Sequence, residues 1–188
     1  MRTLAVFNHI TLDGYFTDAK GDMSFAHRTG PDAEWDTFVE GNAGGGGTLL
    51  FGRKTYDLMA GFWPTPMAAE MMPVVAERMN NLPKVVFSRT MTGAAWHNTR
   101  LVKDDLAGAV RTLKAEAGDD MVIFGSGSIV SQLTQHGLID EYKFVVDPVV
   151  LGAGRTMFEG VTAKLSLRLV GSRIFGNGNV LLSYQPVS

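Results

Sequence analysis

The chain has 188 residues, 45% hydrophobic side chains and a formal net charge of −2 at pH 7. This length is typical of one domain with a sizeable core, so we expect a single domain over residues 1–188. The sequence lacks a basic or acidic tract, which argues against nucleic acid or a membrane surface as a partner. It has no cysteine, which excludes thiolate chemistry, and no signal-peptide core, so the default expectation is a cytoplasmic protein.

Short apolar runs rich in β formers alternate along the chain with segments of helical spacing. The predicted strands are residues 4–10, 48–51, 84–87, 100–102, 121–124 and 142–146. Helices are predicted after Asp32, after Gly52, across residues 65–80 with a break at Pro73, after Asp104 as N-cap, and after Ser128. A glycine run at 44–47 is predicted to end the first helix.

The C-terminal part of the chain has a different pattern. Residues 165–169 alternate apolar and polar side chains, and Asn177-Gly178 precedes the apolar run 180–184. This is typical of an antiparallel hairpin. Together the elements predict an α/β fold with a central, mostly parallel sheet, an antiparallel C-terminal hairpin and helices on both faces.

Three predicted strands end in residues suited to anions. The segments are Gly52-Arg53-Lys54-Thr55, Ser88-Arg89-Thr90 and Gly125-Ser126-Gly127-Ser128. A glycine-rich turn into a helix start presents free backbone N–H groups, and guanidinium groups bind phosphate in a bidentate way. If the strands are neighbours, their carboxyl ends predict a site for a nucleotide with more than one phosphate. The open alternatives are a ligand-free turn and solvated arginines.

Several familiar motifs fail on spacing. Residues 47–55 nearly form a P-loop, but Arg53 breaks the Gly-Lys-Thr sequence. Val130 stands where the dinucleotide fingerprint needs its third glycine. Ser126 and Ser128 lack a nucleophile-elbow sequence for a hydrolase. The four histidines have no metal-ligand spacing, so no metal is expected.

The ordered motifs resemble the dihydrofolate reductase fold, in the branch of the RibD C-terminal (riboflavin biosynthesis reductase) domain. They cover almost the whole chain and occur in the family's order. The motifs are Leu12-Asp13-Gly14-Tyr15, residues 50–56, Phe62-Trp63-Pro64, and residues 84–90, 124–128, 137–142 and 148–158. The proline-tryptophan loop of folate enzymes is missing after the first strand, which argues against dihydrofolate itself as substrate.

The resemblance implies an NADPH-dependent reductase that transfers hydride to a small heterocyclic (pterin- or pyrimidine-like) or carbonyl substrate. The alternative is a catalytically silent NADP(H)- or nucleotide-binding or sensor protein with the same fold. A phosphotransferase using the same anion sites lacks sequence support for its metal. The resemblance also implies a homodimer.

Roles for individual residues follow from the resemblance alone. It implies that Gly52, Arg53, Lys54 and Thr55 hold the diphosphate and the adenosine phosphate side, that Ser88 and Arg89 meet the adenosine 2′-phosphate, and that Gly125, Ser126, Gly127 and Ser128 cradle the pyrophosphate.

On the substrate side, it implies that His9, Ile10 and Phe16 line the nicotinamide. Asp36 is the candidate catalytic acid, while Asp13 positions a loop, and both are expected beside the substrate with Trp63. From the residues alone, Asp13 is equally compatible with a turn residue and Asp36 with a helix-surface acid.

Overall fold

The computed structural model describes residues 1–27, 31–43 and 47–187. Its strands are β1 (Leu4–Thr11), β2 (Tyr15–Thr17), β3 (Thr48–Gly52), β4 (Lys84–Phe87), β5 (Thr99–Val102), β6 (Met121–Ile123), β7 (Glu141–Asp147), β8 (Arg155–Thr156), β9 (Leu167–Ile174) and β10 (Val180–Pro186). Its α-helices are α1 (Ala33–Ala43), α2 (Arg53–Phe62), α3 (Pro66–Met71), α4 (Pro73–Asn81), α5 (Leu106–Ala115) and α6 (Gly127–Gln135). Of the predicted glycine run, residues 44–46 lie outside the described ranges.

The main sheet has eight strands in the order β5-β4-β3-β6-β1-β7-β10-β9. The strands from β5 to β7 are parallel neighbours, and β10 is antiparallel to both β7 and β9. Strands β2 and β8 form a separate antiparallel pair. The predicted mostly parallel sheet with a C-terminal hairpin is therefore confirmed.

Side chains alternate between the two faces of the sheet, and helices cover both. On one face Leu4 and Val6 of β1 pack with the buried residues of α5 and α6. On the other face Phe7 packs with Trp35 of α1 and with Phe175 at the end of β9. Within the described ranges, no helix has the length and apolarity needed to cross a bilayer.

Two helix caps test the local predictions. Asp32 Oδ1 accepts a hydrogen bond of 3.0 Å from Trp35 N, as expected for the cap of α1. The predicted cap of α5, Asp104, is wrong by one residue. Asp105 is the N-cap, and its carboxylate accepts from Gly108 N at 2.9 Å. Asp105 has a φ of 48°, a left-handed conformation that short polar side chains tolerate and that sequence spacing does not reveal.

Lys84 is unusual for a lysine because its side chain is buried. The ammonium donates to the carbonyls of Met79, Asn80 and Leu82 at 2.8, 2.9 and 2.7 Å. These carbonyls lie at the end of α4, where helical partners are lacking. The Nζ atom also lies 4.5 Å from the ring centroid of Trp96. Burial lowers the pKa of Lys84 from 10.5 to about 8, while the carbonyls and the ring favour its charged form.

We expect Lys84→Met to lower the free energy of unfolding at pH 7 by about 1–3 kcal/mol, because the α4 carbonyls lose their donors. The folded chain releases the Lys84 proton at a lower pH than the unfolded chain, so wild-type stability rises from pH 8 towards 10. The difference in the free energy of unfolding between wild type and variant should therefore increase over that range. Urea unfolding of both proteins measures it, with the exposed Lys164→Met as control. If this difference did not change with pH, the buried ammonium of Lys84 would not have the lowered pKa described above.

Candidate functional site

The three anion-friendly turns meet at one edge of the sheet. Strands β4, β3 and β6 are consecutive neighbours, with Gly52 opposite Phe87 and Leu50 opposite Ile123. Their carboxyl ends open into a cavity of about 550 Å³. The predicted cofactor residues that line it are Phe16, Gly52, Arg53, Lys54, Thr55, Ser88, Arg89, Ser126, Gly127 and Ser128. The conditional prediction that these strands are neighbours is confirmed.

Glycines let the turns after β3 and β6 touch. The amide of Gly52 donates to the carbonyl of Gly125 at 3.1 Å. A Cβ atom added to Gly52 would lie 2.3 Å from Ser126 Oγ, and one on Gly127 would lie 2.9 Å from the ring of Phe16. Gly125 has a φ of 109°, which L side chains rarely adopt. Side chains at these positions would fill the floor of the cavity.

Two helices begin at the cavity without a side-chain cap. Gly52 precedes α2 and Ser126 precedes α6, and neither makes a side-chain cap hydrogen bond. Ser126 Oγ instead lies 2.9 Å from Ser128 Oγ. The first-turn N–H groups and the positive ends of both helix dipoles are therefore available to an anion.

Cationic side chains outnumber carboxylates in the described lining. The cations are Arg53, Lys54, Arg89, Lys103 and Arg155, and the carboxylates are Asp104 and Asp105. Arg53 Nη1 donates to Thr90 Oγ1 at 2.9 Å. Arg89 is exposed and makes no hydrogen bond or ion pair with another described residue. The cavity of a chain with net charge −2 is thus locally positive.

Sequence analysis missed several lining residues, among them Lys103, Gln132 and Arg155. Lys103 directly follows β5, so the strand-end rule that selected Arg53 and Arg89 would also have found it. Arg155 had no such signal, because it belongs to β8, a two-residue strand that pairs with β2.

Six of the predicted site residues do not line this cavity, namely His9, Ile10, Asp13, Asp36, Trp63 and Gly125. Asp36 is exposed on α1, and Trp63 is half-buried at the end of α2, where its Nε1 donates to Met59 Sδ at 3.1 Å. Ile10 packs against the core under α5 and α6. The roles proposed for Asp36, Trp63 and Ile10 stay predictions.

Asp13 joins two loops. Its Oδ1 accepts from the Thr11 hydroxyl at 2.6 Å, and its Oδ2 accepts from Gly152 N at 2.8 Å. The Thr11 hydroxyl, followed by the amides of Gly152 and Leu151, lowers the pKa of Asp13 below its usual value. This geometry fits the loop-positioning interpretation.

His9 forms a pair that sequence analysis did not detect. Its Nδ1 lies 2.9 Å from Asp147 Oδ2, and the two side chains are 18% and 5% exposed. His9 lies near the end of β1, and Asp147 ends the adjacent β7. The rings of Phe7 and Trp35 meet the imidazole edge to face, with centroids at 6.1 and 5.8 Å. The pair spans 138 residues of sequence, so no local motif contains it.

Asn8 supplies an unpaired donor beside the glycine turn. Its side chain is 5% exposed, and its Nδ2 has no hydrogen-bond partner among the described residues. Its Oδ1 lies 3.7 Å from the position of a Cβ atom on Gly125. Buried polar groups are normally paired, so this amide is suited to an acceptor from a bound ligand.

Comparison with known proteins identifies the family. Residues 2–181 match the RibD C-terminal domain. YyaP of Bacillus subtilis (strain 168), an uncharacterized protein, is 28% identical over 175 residues, which cover 93% of this chain and 90% of YyaP. YwjB of the same organism, also uncharacterized, is 39% identical over 64 residues, which cover 34% of this chain and 37% of YwjB.

Solved structures share the fold at low sequence identity. A protein from Shewanella sp. PV-4 whose name refers to riboflavin biosynthesis has a TM-score of 0.74 at 23% identity, with 99% of each chain covered. A deaminase/5-amino-6-(5-phosphoribosylamino)uracil reductase from Thermotoga maritima has a TM-score of 0.68 at 17% identity, covering 99% of this chain and 57% of that one. Dihydrofolate reductase from Enterococcus faecalis, complexed with NADP(H), has a TM-score of 0.60 at 13% identity, covering 99% and 97% of the two chains. The chain belongs to the RibD C-terminal domain family and has a dihydrofolate reductase-like, reductase-type fold.

Proposed function

We propose that this protein is an NADPH-dependent reductase that transfers hydride to a small heterocyclic or carbonyl substrate. One observation carries the proposal: three strand ends that favour anions line a single, locally positive cavity. Such a cavity matches a dinucleotide with a pyrophosphate and a further phosphate group. Its volume of about 550 Å³ lies in the range of cofactor sites.

The residues present fit this cofactor. The uncapped starts of α2 and α6 face the cavity and would hold the pyrophosphate between residues 52–55 and 125–128. Arg89 and Ser88 would hold the adenosine 2′-phosphate, since Arg89 has no protein partner among the described residues. The Nδ2 atom of Asn8 would donate to an acceptor of the bound cofactor. Arg89 and the Nδ2 atom of Asn8 are donors without a partner among the described residues, whereas Ser88 Oγ already accepts from the amides of Thr90 and Met91.

Two comparisons support this activity. A dihydrofolate reductase of the same fold is complexed with NADP(H), and the Thermotoga maritima protein is named as a 5-amino-6-(5-phosphoribosylamino)uracil reductase. When bound, NADPH supplies a hydride with its electron pair to the substrate. The protein then has to orient the two molecules and provide a proton.

A substrate panel tests turnover. We expect NADPH oxidation with at least one member of a set of pteridines, flavins and aminopyrimidine ribitol phosphates, followed by absorbance at 340 nm. Binding of NADPH without oxidation by any compound would instead fit the catalytically silent binding protein.

Arg89 should discriminate between the two nicotinamide cofactors. We expect Arg89→Gln to weaken NADPH binding by about 10- to 100-fold, because a charge-assisted contact to the 2′-phosphate is lost. NADH affinity should stay within about twofold, since NADH lacks that phosphate. Calorimetric titration measures both constants. Arg168→Gln, on the exposed strand β9, is the matched control, and equal losses for both cofactors would refute the role of Arg89.

Gly52 should act on both cofactors alike. In Gly52→Ala the new Cβ would lie 2.3 Å from Ser126 Oγ, so the Ser126 side chain has to leave its position beside Ser128. We expect a loss of affinity on the order of tenfold for NADPH and NADH together. Gly61→Ala in α2, with open space around it, is the control. A loss confined to NADPH would place the pyrophosphate elsewhere.

The homodimer implied by the family resemblance stays a prediction. Strand β9 forms an outer edge of the sheet, and its Leu169, Val170 and Ile174 are exposed. An exposed apolar edge strand is a surface on which a second copy could pair.

A further inference from the structure

We propose that His9, held by Asp147, is the catalytic proton donor of the reduction. The inference rests on the proposed function and assigns to one side chain the acid that the reaction needs. Asp36, the acid expected from the sequence, is exposed on α1 and does not line the cavity. His9 and Asp147 do not line the cavity either, but they lie near the carboxyl ends of β1 and β7, and β1 is the next strand of the sheet after β6.

The sheet order places His9 one strand beyond the cavity, on the side towards which the cofactor would extend. From β4, which Ser88 and Arg89 directly follow, the order runs through β3 and β6 to β1. A dinucleotide with its adenosine end at Arg89 and its pyrophosphate at Ser126 therefore extends its nicotinamide towards β1. Val6 is level with Ile123, so the parallel register brings Asn8 level with Gly125, and His9 is the next residue. Neighbouring strands lie about 4.8 Å apart.

Three neighbouring side chains hold the imidazole of His9, and its Nε2 atom is left without a described partner. Asp147 holds Nδ1 at 2.9 Å, and Phe7 and Trp35 pack against the ring. Nε2 makes no hydrogen bond with a described residue, and the side chain keeps 18% of its surface exposed. The buried carboxylate at Nδ1 fixes the tautomer and the orientation of the ring. Nε2 is then the atom that can give up a proton.

Other charged groups around His9 are engaged elsewhere or distant. Among the described residues, the carboxylate that lies within 4.0 Å of the His9 ring is that of Asp147. On α1, Glu34 bonds Arg173 and the amide of Gly176. Asp36 points to solvent, and Asp13 on the loop after β1 bonds Thr11 and Gly152.

In the proposed reaction, Nε2 of His9 supplies the proton and the cofactor supplies the hydride. When hydride forms a new C–H bond at the substrate's C=N or C=O carbon, the π electron pair moves to the nitrogen or oxygen. That atom bonds the proton of Nε2, and the electron pair of the broken N–H bond stays on the imidazole. Neutral His9 keeps its Nδ1 proton towards Asp147, and solvent restores the imidazolium.

Kinetics with a substrate found in the panel provide the first test. His9→Gln should slow single-turnover hydride transfer by 10²- to 10⁴-fold and remove the fall in rate at high pH, while NADPH affinity stays within about threefold. Asp147→Asn should slow the same step, because Nδ1 loses the carboxylate that orients the ring. The exposed His97→Gln is the matched control. A His9→Gln protein with the wild-type rate and pH profile would overturn the proposal.

Nuclear magnetic resonance of the histidines gives a readout without turnover. In the full chain labelled with ¹⁵N-histidine, NADP⁺ should shift the ring signals of His9 and leave those of His97 and His136 in place. NADP⁺ binding without a His9 shift refutes the proton donor alone. Absence of NADPH binding refutes the proposed function. A chain that binds NADPH, shifts His9 and reduces no compound overturns both reduction and proton donation.

Discussion

The backbone hydrogen bond from Gly52 to Gly125 holds the turns after β3 and β6 against each other, and the shape of the cavity depends on this contact. It exists because β3 and β6 are parallel neighbours whose carboxyl ends lie level. A Cβ atom on Gly52 would lie 2.3 Å from Ser126 Oγ, so a larger residue there would displace the Ser126 side chain. Paired helix starts double the number of N–H groups directed at one ligand.

This arrangement determines the electrostatics of the cavity more than net charge does. The chain as a whole is slightly acidic, yet the cavity combines two helix N-termini with Arg53 and Arg89. Asp105 lines it too, but its carboxylate caps α5 through Gly108 N. The N–H dipole of Gly108 therefore offsets part of the negative charge of Asp105. A concave site with low-dielectric walls focuses the remaining positive field on an incoming anion.

The strands and turns could be predicted from sequence because their signals are local. The β-rich run 121–124 and the small residues after it indicate a strand–turn–helix unit, and Asn177-Gly178 indicates a hairpin. Contacts between distant residues could not be predicted in this way. His9 meets Asp147 only because β1 and β7 become neighbours, and the cap of α5 depends on a left-handed backbone at Asp105. The burial of Lys84 could not be predicted either, since a lysine at the start of a strand is ordinarily exposed.

The position of α1 explains why a strand, rather than this helix, provides the acid. Glu34 bonds Arg173 at 3.1 Å and the amide of Gly176, which together lower the pKa of Glu34 below its usual value. The Arg173 guanidinium also lies 4.6 Å from the Phe175 ring centroid. These contacts tie α1 to the C-terminal hairpin and direct the indole of Trp35, instead of a carboxylate, towards the sheet. The side chain that Trp35 meets there is His9, so the helix helps to orient an imidazole that Asp147 holds at Nδ1.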